Sequence, residues 1–105
     1  MNGTSLVVKG DLRGDEDVTI DGHVEGRIEF KDNLVTIGPT GSVTADVLAR
    51  SVIVHGSVVG NVTASERVAV LASGSIEGDI VAPRVTIAET AHFRGHVDMK
   101  RFAPA

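Results

Sequence analysis

Four histidines are the first residues in this sequence whose type could bind a metal ion, but their spacing argues against a shared site. His92 and His96 lie four positions apart, which on a helix would place both side chains on one face. On a strand, at about 3.3 Å per residue, their Cα atoms would be about 13 Å apart, too far for one ion. His23 and His55 occupy different positions of the repeat described below. No metal site and no bound cofactor are predicted.

Carboxylates recur along the chain and could in principle supply an acid–base pair. Glu25, Asp46, Glu77 and Asp79 are examples. A catalytic pair needs a pocket that holds two carboxylates opposite each other, whereas these recur with the repeat, as solvated surface groups do. The sequence also has no GxxxxGK phosphate loop and no GxGxxG fingerprint. We therefore predict that the protein is not an enzyme and that nucleotide does not drive its function.

The composition favours strands and argues against nucleic-acid binding. Seventeen Val and seven Ile dominate the apolar residues, a β-branched bias that suits strands and disfavours helices. Ten Lys and Arg stand against 14 Asp and Glu, with both signs interspersed, and Phe is the only aromatic type. A nucleic-acid-binding protein would usually show a basic patch with aromatic residues among it.

Two absences bear on the expected location of the protein. The sequence contains no cysteine, which fits a reducing compartment. No apolar run reaches the roughly 20 residues that span a bilayer, and the first residues, MNGTS, do not have the character of a signal peptide. We expect a cytoplasmic protein.

An internal repeat of about 17 residues organises the chain. Five copies begin 17, 17, 16 and 17 residues apart, at Val18, Val35, Val52, Val68 and Val85, and a truncated copy precedes them from Leu6 to Gly14. Each copy holds three apolar clusters separated by turn-forming residues, and apolar residues alternate within each cluster, which indicates short strands. The same cluster recurs once per copy and stacks on the preceding one. The predicted fold is all-β: a three-sided parallel β-helix of about five full coils plus a partial N-terminal coil.

The two ends of this solenoid are the predicted surfaces for self-association. A terminal coil without a cap presents unpaired backbone and apolar side chains, and no capping helix is predicted in residues 1–5 or 100–105. The candidate interface residues are Phe93, Val97, Met99 and Phe102 at one end, and Leu6, Val8 and Leu12 at the other. In an alternative interpretation, Phe93 closes its own coil while residues 100–105 lie across it.

A second candidate surface runs along one side of the solenoid. The outward middle position of the first strand forms a flat, uncharged column made of Thr19, Thr36, Ile53, Ala69 and Thr86. This column could serve as a lateral bundling face. Ordinary packing between β-branched neighbours on a sheet would produce the same pattern.

The ordered segments VVKGDLRGDEDVTIDGHVEGRI, GSVVGNVTA, GSIEGDIVAPRVTI and TAHFRGHV resemble the bactofilins, a family of bacterial cytoskeletal proteins. The resemblance runs from about Leu6 to Met99, so we expect a domain over residues 6–99 with short tails at 1–5 and 100–105. It implies a right-handed β-helix that polymerises through its coil ends without nucleotide, giving filaments that lack polarity.

The same resemblance implies a scaffold at the inner face of the membrane that recruits cell-wall or morphogenesis proteins. Bactofilins often use disordered tails and a short apolar N-terminal segment for these contacts. Residues 1–5 are neither long nor apolar. We therefore expect membrane association to be indirect.

Two other classes of protein share a solenoid of this kind. A hexapeptide-repeat acyltransferase has apolar residues strictly every six positions and a projecting loop with a catalytic histidine, whereas the corresponding spacings here are 7, 5, 6 and 5 residues. A β-helical interaction domain, like that of the division-site inhibitor, would dimerise and bind a partner instead of forming filaments. The sequence leaves this second alternative open.

Overall fold

The structure, a computed structural model, describes the backbone of residues 6–99 and the side chains from Val8 to Met99. Its described residues form strands and turns, with no helix among them, and therefore none that could cross a membrane. In chain order the strands are β1 (Leu6–Arg13), β2 (Val18–Val54), β3 (Ser57–Val59), β4 (Val62–Val70), β5 (Ser75–Glu77), β6 (Ile80–Val81), β7 (Val85–Ile87), β8 (His92–Arg94) and β9 (Val97–Asp98).

The strands wind into a parallel β-solenoid of about six turns, which confirms the predicted fold. Strand β2 runs unbroken through two whole coils, while later coils are divided into separate strands by their corners. Every pairing between different strands is parallel. In the third strand of each coil, for example, Val47 pairs with Val62, Val62 with Ile80 and Ile80 with Val97. The pairing register therefore places equivalent repeat positions on top of one another.

Stacked columns of apolar side chains, mostly Val and Ile, fill the interior. The inward residues of the middle coils are fully buried, among them Ile20, Ile28, Ile37, Ile76 and Ile80. Ile80, for example, lies between its equivalents Val62 and Val97 in the adjacent coils. Full burial of such a side chain contributes about 1.5–3 kcal/mol relative to exposure. A coil in isolation would lack both neighbours, so the stability of each coil depends on adjacent coils.

At the corner before the third strand, five of the six described coils have glycine and one has Ala45. Gly10, Gly26, Gly60, Gly78 and Gly95 occupy this corner with φ between +119° and +146°, a region that L side chains rarely adopt. A Cβ atom on Gly26 would also lie 2.1 Å from the carbonyl oxygen of Gly10 in the preceding coil. The corner glycines thus allow both the turn and the close stacking of one coil on the next.

A ladder of side-chain hydrogen bonds follows this corner. The backbone N–H of Asn61 donates to Asp46 Oδ1 over 3.1 Å, the N–H of Asp79 to Asn61 Oδ1 over 3.2 Å, and the N–H of His96 to Asp79 Oδ1 over 3.2 Å. Sequence reasoning assigned Asp46 and Asp79 only to a solvated face. Both are exposed, but each also holds the corner of the next coil in register.

Phe30 fills the core close to the N-terminal end. Later coils have the small residues Ala49, Ala64 and Ala82 in the same column. Phe30 is much larger, but it is only 5% exposed. Its ring lies against Gly14 of the first coil, where a Cβ atom would be 2.3 Å from Phe30 Cε2. The large side chain in the second coil thus takes the space that the first coil leaves empty.

Alanine substitutions at Gly26 and Gly10 separate the cost of a clash between coils from the cost of backbone strain. The two glycines have similar φ values, +124° and +119°, and lie in adjacent coils, so the strain should be similar in both variants. Gly10→Ala meets no atom within 4 Å and should cost only the strain of its φ, about 1–3 kcal/mol. Gly26→Ala adds a clash with the backbone of the preceding coil and should lower the melting temperature much further. Circular dichroism melts, at concentrations too low for the protein to sediment, give the comparison. Equal melting temperatures would show that stacking does not require glycine at this corner.

Candidate polymerisation surfaces at the coil ends

The last coil offers open backbone edges at the C-terminal end of the solenoid. Among the described strands, β7 pairs only with β4, β8 only with β5 and β9 only with β6. One side of each strand therefore has backbone N–H and C=O groups directed away from the neighbouring coil. Unpaired parallel edges of this kind are ready to accept a further strand.

Apolar side chains that earlier coils bury are exposed at this end. Ile87 is 41% exposed, whereas Val70, its equivalent one coil earlier, is 1% exposed. Val97 is 39% exposed above the fully buried Ile80, and Met99 is 62% exposed. The difference arises because nothing in the described chain lies over the last coil as it lies over the others. The end therefore presents the apolar surface that one more coil would bury.

Phe93 is half-buried in the last coil. It pairs with Ile76, and its ring packs against the core cluster instead of projecting fully into solvent. This packing is compatible with both interpretations of Phe93, as a plug of its own coil and as part of a joint between subunits. The ring covers Ile76, which is 1% exposed.

The first coil forms the opposite end. Strand β1 pairs with β2 alone, with Val8 on Val24 and Leu12 on Ile28, and both Val8 and Leu12 are half-buried against the core. The backbone of Leu6 pairs with Gly22, while its side chain and all of Phe102 lie outside the described residues. The predicted interface residues thus belong to two separate surfaces, one at each end.

Sequence reasoning did not include Ile87 among the interface residues. It assigned Ile87 only to the inward column of the first strand, which is where the structure places it. The signal was available, since Ile87 is an inward residue of the last repeat copy that the sequence shows. Val85, half-buried, belongs to the same group.

The five residues of the candidate lateral face form one column on the first strands. Ile53 pairs with Ala69 and Ala69 with Thr86. Thr19, Thr36 and Ile53 are half-buried, Ala69 is buried and Thr86 is exposed. The column is continuous and uncharged over its length.

The titratable groups of the described chain are spread over the surface. His23 Nε2 lies 3.2 Å from Glu25 Oε2, and Arg50 and Glu66 approach to 3.5 Å. Within residues 6–99, no three His, Asp or Glu side chains gather in an arrangement that could hold a metal ion. The surface depressions are open grooves between rungs, one of them bordered by Arg27, Glu29, Asp46 and Asn61.

Known proteins match this chain over nearly all of its length. Residues 2–98 match the family model described as "Bactofilin: Polymer-forming cytoskeletal". From Myxococcus xanthus (strain DK1622), bactofilin BacP is 45% identical over 97% of this chain and bactofilin BacO is 43% identical over 92%. The aligned region makes up 42% of BacP and 76% of BacO, so the chain spans less than half the length of BacP.

A solved structure agrees with the fold. The solid-state NMR structure of the cytoskeletal bactofilin BacA is similar with a TM-score of 0.56 and 27% sequence identity, covering 97% of this chain and 100% of that one. Together with the stacked repeat and the open coil ends, these matches show that the chain belongs to the bactofilin family of polymer-forming cytoskeletal proteins.

Proposed function

We propose that this chain assembles end to end, without nucleotide, into a filament that organises cell-shape or cell-wall factors. The observation that carries the proposal is the exposure of Ile87, Val97 and Met99 on the last coil, where the equivalent residues of the coil below are buried. A neighbouring subunit stacked on this coil would cover these side chains and pair the free edges of β7, β8 and β9.

The same interactions that stabilise the fold would stabilise the joint between two subunits. Each internal coil is stabilised by apolar contact and backbone hydrogen bonds on both sides, and a terminal coil has them on one side only. Stacking a second subunit supplies the missing side. Because this stabilisation comes from burial and pairing, assembly needs no bound nucleotide and no hydrolysis.

A filament repeats the same side surfaces along its length, which suits a scaffolding role. A filament displays the same side surfaces once per subunit, so a partner with several weak contacts would bind with much higher avidity than to a single copy. We propose that the partners are cell-wall or morphogenesis proteins in the cytoplasm and at the inner face of the membrane, and that membrane association is indirect. Sedimentation with liposomes tests this last point, and strong binding by the purified chain alone would contradict it.

Substitution of Phe93 tests the C-terminal joint. Phe93→Arg would bury a charge without a partner at the joint, at a cost of several kcal/mol per interface, and should abolish filaments while the solenoid stays folded. Val59→Arg is the matched control, because Val59 is 46% exposed on a side of the solenoid and away from both ends. Electron microscopy reports the filaments and circular dichroism the fold.

The results separate the two interpretations of Phe93. Filaments that persist in folded Phe93→Arg protein would place the joint elsewhere, whereas loss of the fold would identify Phe93 as a plug of its own coil. Ile87→Arg, a change to a more exposed residue of the same coil, then tests the joint independently.

Assembly in nucleotide-free buffer tests the energetic basis of the proposal. Purified protein freed of nucleotide by exhaustive dialysis should form filaments visible by negative-stain electron microscopy, and added ATP or GTP should leave the sedimented fraction unchanged. Discrete dimers instead of filaments would favour a non-filamentous interaction domain. Discrete trimers would favour an acyltransferase-like assembly.

A further inference from the structure

The first strands of the coils form a flat side of the solenoid with a particular distribution of charge. Its centre is the uncharged column from Thr19 to Thr86, with Ile53 in the third of five rungs. One edge of the side consists of the residues two positions before this column, of which three are exposed, Leu34 is half-buried and Ser51 is buried. They are Asp17, Leu34, Ser51, Arg67 and Arg84. We call this row of five the charged edge.

The charged edge is acidic at its N-terminal end and basic at its C-terminal end. Asp17 is exposed and follows two more exposed acids, Asp15 and Glu16. Arg67 and Arg84 are exposed on adjacent rungs, about 4.8 Å apart, so their like charges oppose each other. No ion pair within residues 6–99 neutralises either of these two arginines.

We infer that a second copy of this chain docks on this side in antiparallel orientation, about a twofold axis that follows the strand direction through the rung of Ile53. This inference rests on the proposed function, since it describes how two filaments pair. The axis places Ile53 against Ile53 of the second copy and Thr19 against its Thr86. It also places Asp17 against Arg84 of the second copy, and the symmetry produces this ion pair twice.

The charges favour the antiparallel orientation over the parallel one. In the parallel orientation, the twofold axis runs along the solenoid. Each rung then faces the same rung of the second copy, and the facing strands run in opposite directions. Asp17 would then lie against Asp21, the residue just beyond the other end of the same strand segment, and the repulsion would occur twice. Only the antiparallel orientation brings an acid and a base together at both ends of the side.

The small area of the contact implies that it would hold filaments together but not single subunits. Five rungs at about 4.8 Å and about five residues at about 3.3 Å give roughly 300–400 Å² per copy. Stable complexes bury about 800 Å² per partner. A single pair of subunits would therefore associate weakly, whereas two filaments repeat the contact at every subunit. Lateral pairing should accordingly follow end-to-end assembly.

Cysteine cross-linking tests the face and its orientation, helped by the absence of native cysteine. A short homobifunctional maleimide, able to join residues across sheets stacked about 10 Å apart, is added to single-cysteine variants. Ile53→Cys should form cross-linked dimers. Val59→Cys and Thr63→Cys, in the same coil but on the other two sides, should not. In the Phe93→Arg background, in which the C-terminal joint is broken, Thr86→Cys should not cross-link to itself, because equal residues would lie about 19 Å apart along the solenoid, but it should cross-link to Thr19→Cys when the two are mixed.

A charge reversal tests the ion pair. In the Ile53→Cys background, Arg84→Glu should reduce the cross-linked fraction at least threefold at low salt while leaving the sedimented fraction unchanged. Arg27→Glu is the control, since it makes the same charge change on another side at an exposed residue.

Sedimentation distinguishes failure of the proposed function from failure of this inference. Cross-linking is read in the filament pellet and, in parallel, in concentrated Phe93→Arg protein. A missing pellet would refute end-to-end assembly, while the pattern of cross-links in solution would still report the face. Cross-links at Val59 or Thr63 without any at Ile53, or none at all, would overturn the proposed face. Self-cross-linking of Thr86→Cys in the Phe93→Arg protein would overturn the antiparallel orientation.

Discussion

The parallel stacking of one coil on the next is the interaction on which the whole structure depends. It supplies the backbone hydrogen bonds between coils and buries the inward side chains of the internal coils, because the residue that covers each position is its equivalent in the adjacent coil. Such a structure has no central core separate from its repeat. Its stability is a sum over neighbours, and a terminal coil always lacks one of its two neighbours.

Close stacking places strict limits on the corners. A Cβ atom on Gly26, Gly60, Gly78 or Gly95 would clash with the backbone of the preceding coil, and the Asp46, Asn61 and Asp79 side chains fix the register of the same corner. The core is built of Val, Ile and Ala because larger side chains would separate the rungs. Phe30 is accommodated only where the neighbouring coil has glycine, at Gly14.

The same constraint makes the surfaces of the molecule unequal. At the C-terminal end, residues of core type become exposed simply because they belong to the last coil, as Ile87 and Val97 do. The sides carry scattered charges and the corner hydrogen bonds. The side formed by the first strands is the exception, since it combines an uncharged centre with opposite charges at the two ends of one edge. In this member of a polymer-forming family, we propose the end surfaces as the sites of polymerisation.

The sequence by itself determined the coil architecture, since a 17-residue period and alternating apolar residues leave few other ways to bury so many β-branched side chains. It also identified the inward columns, because alternation is a local property of strands. Only the stacked coils show how far Phe93 is buried and that the exposed Asp46 and Asp79 hold corners together. These features depend on contacts between residues about 17 positions apart and on the absence of a covering coil. Composition and spacing along one repeat do not contain that information.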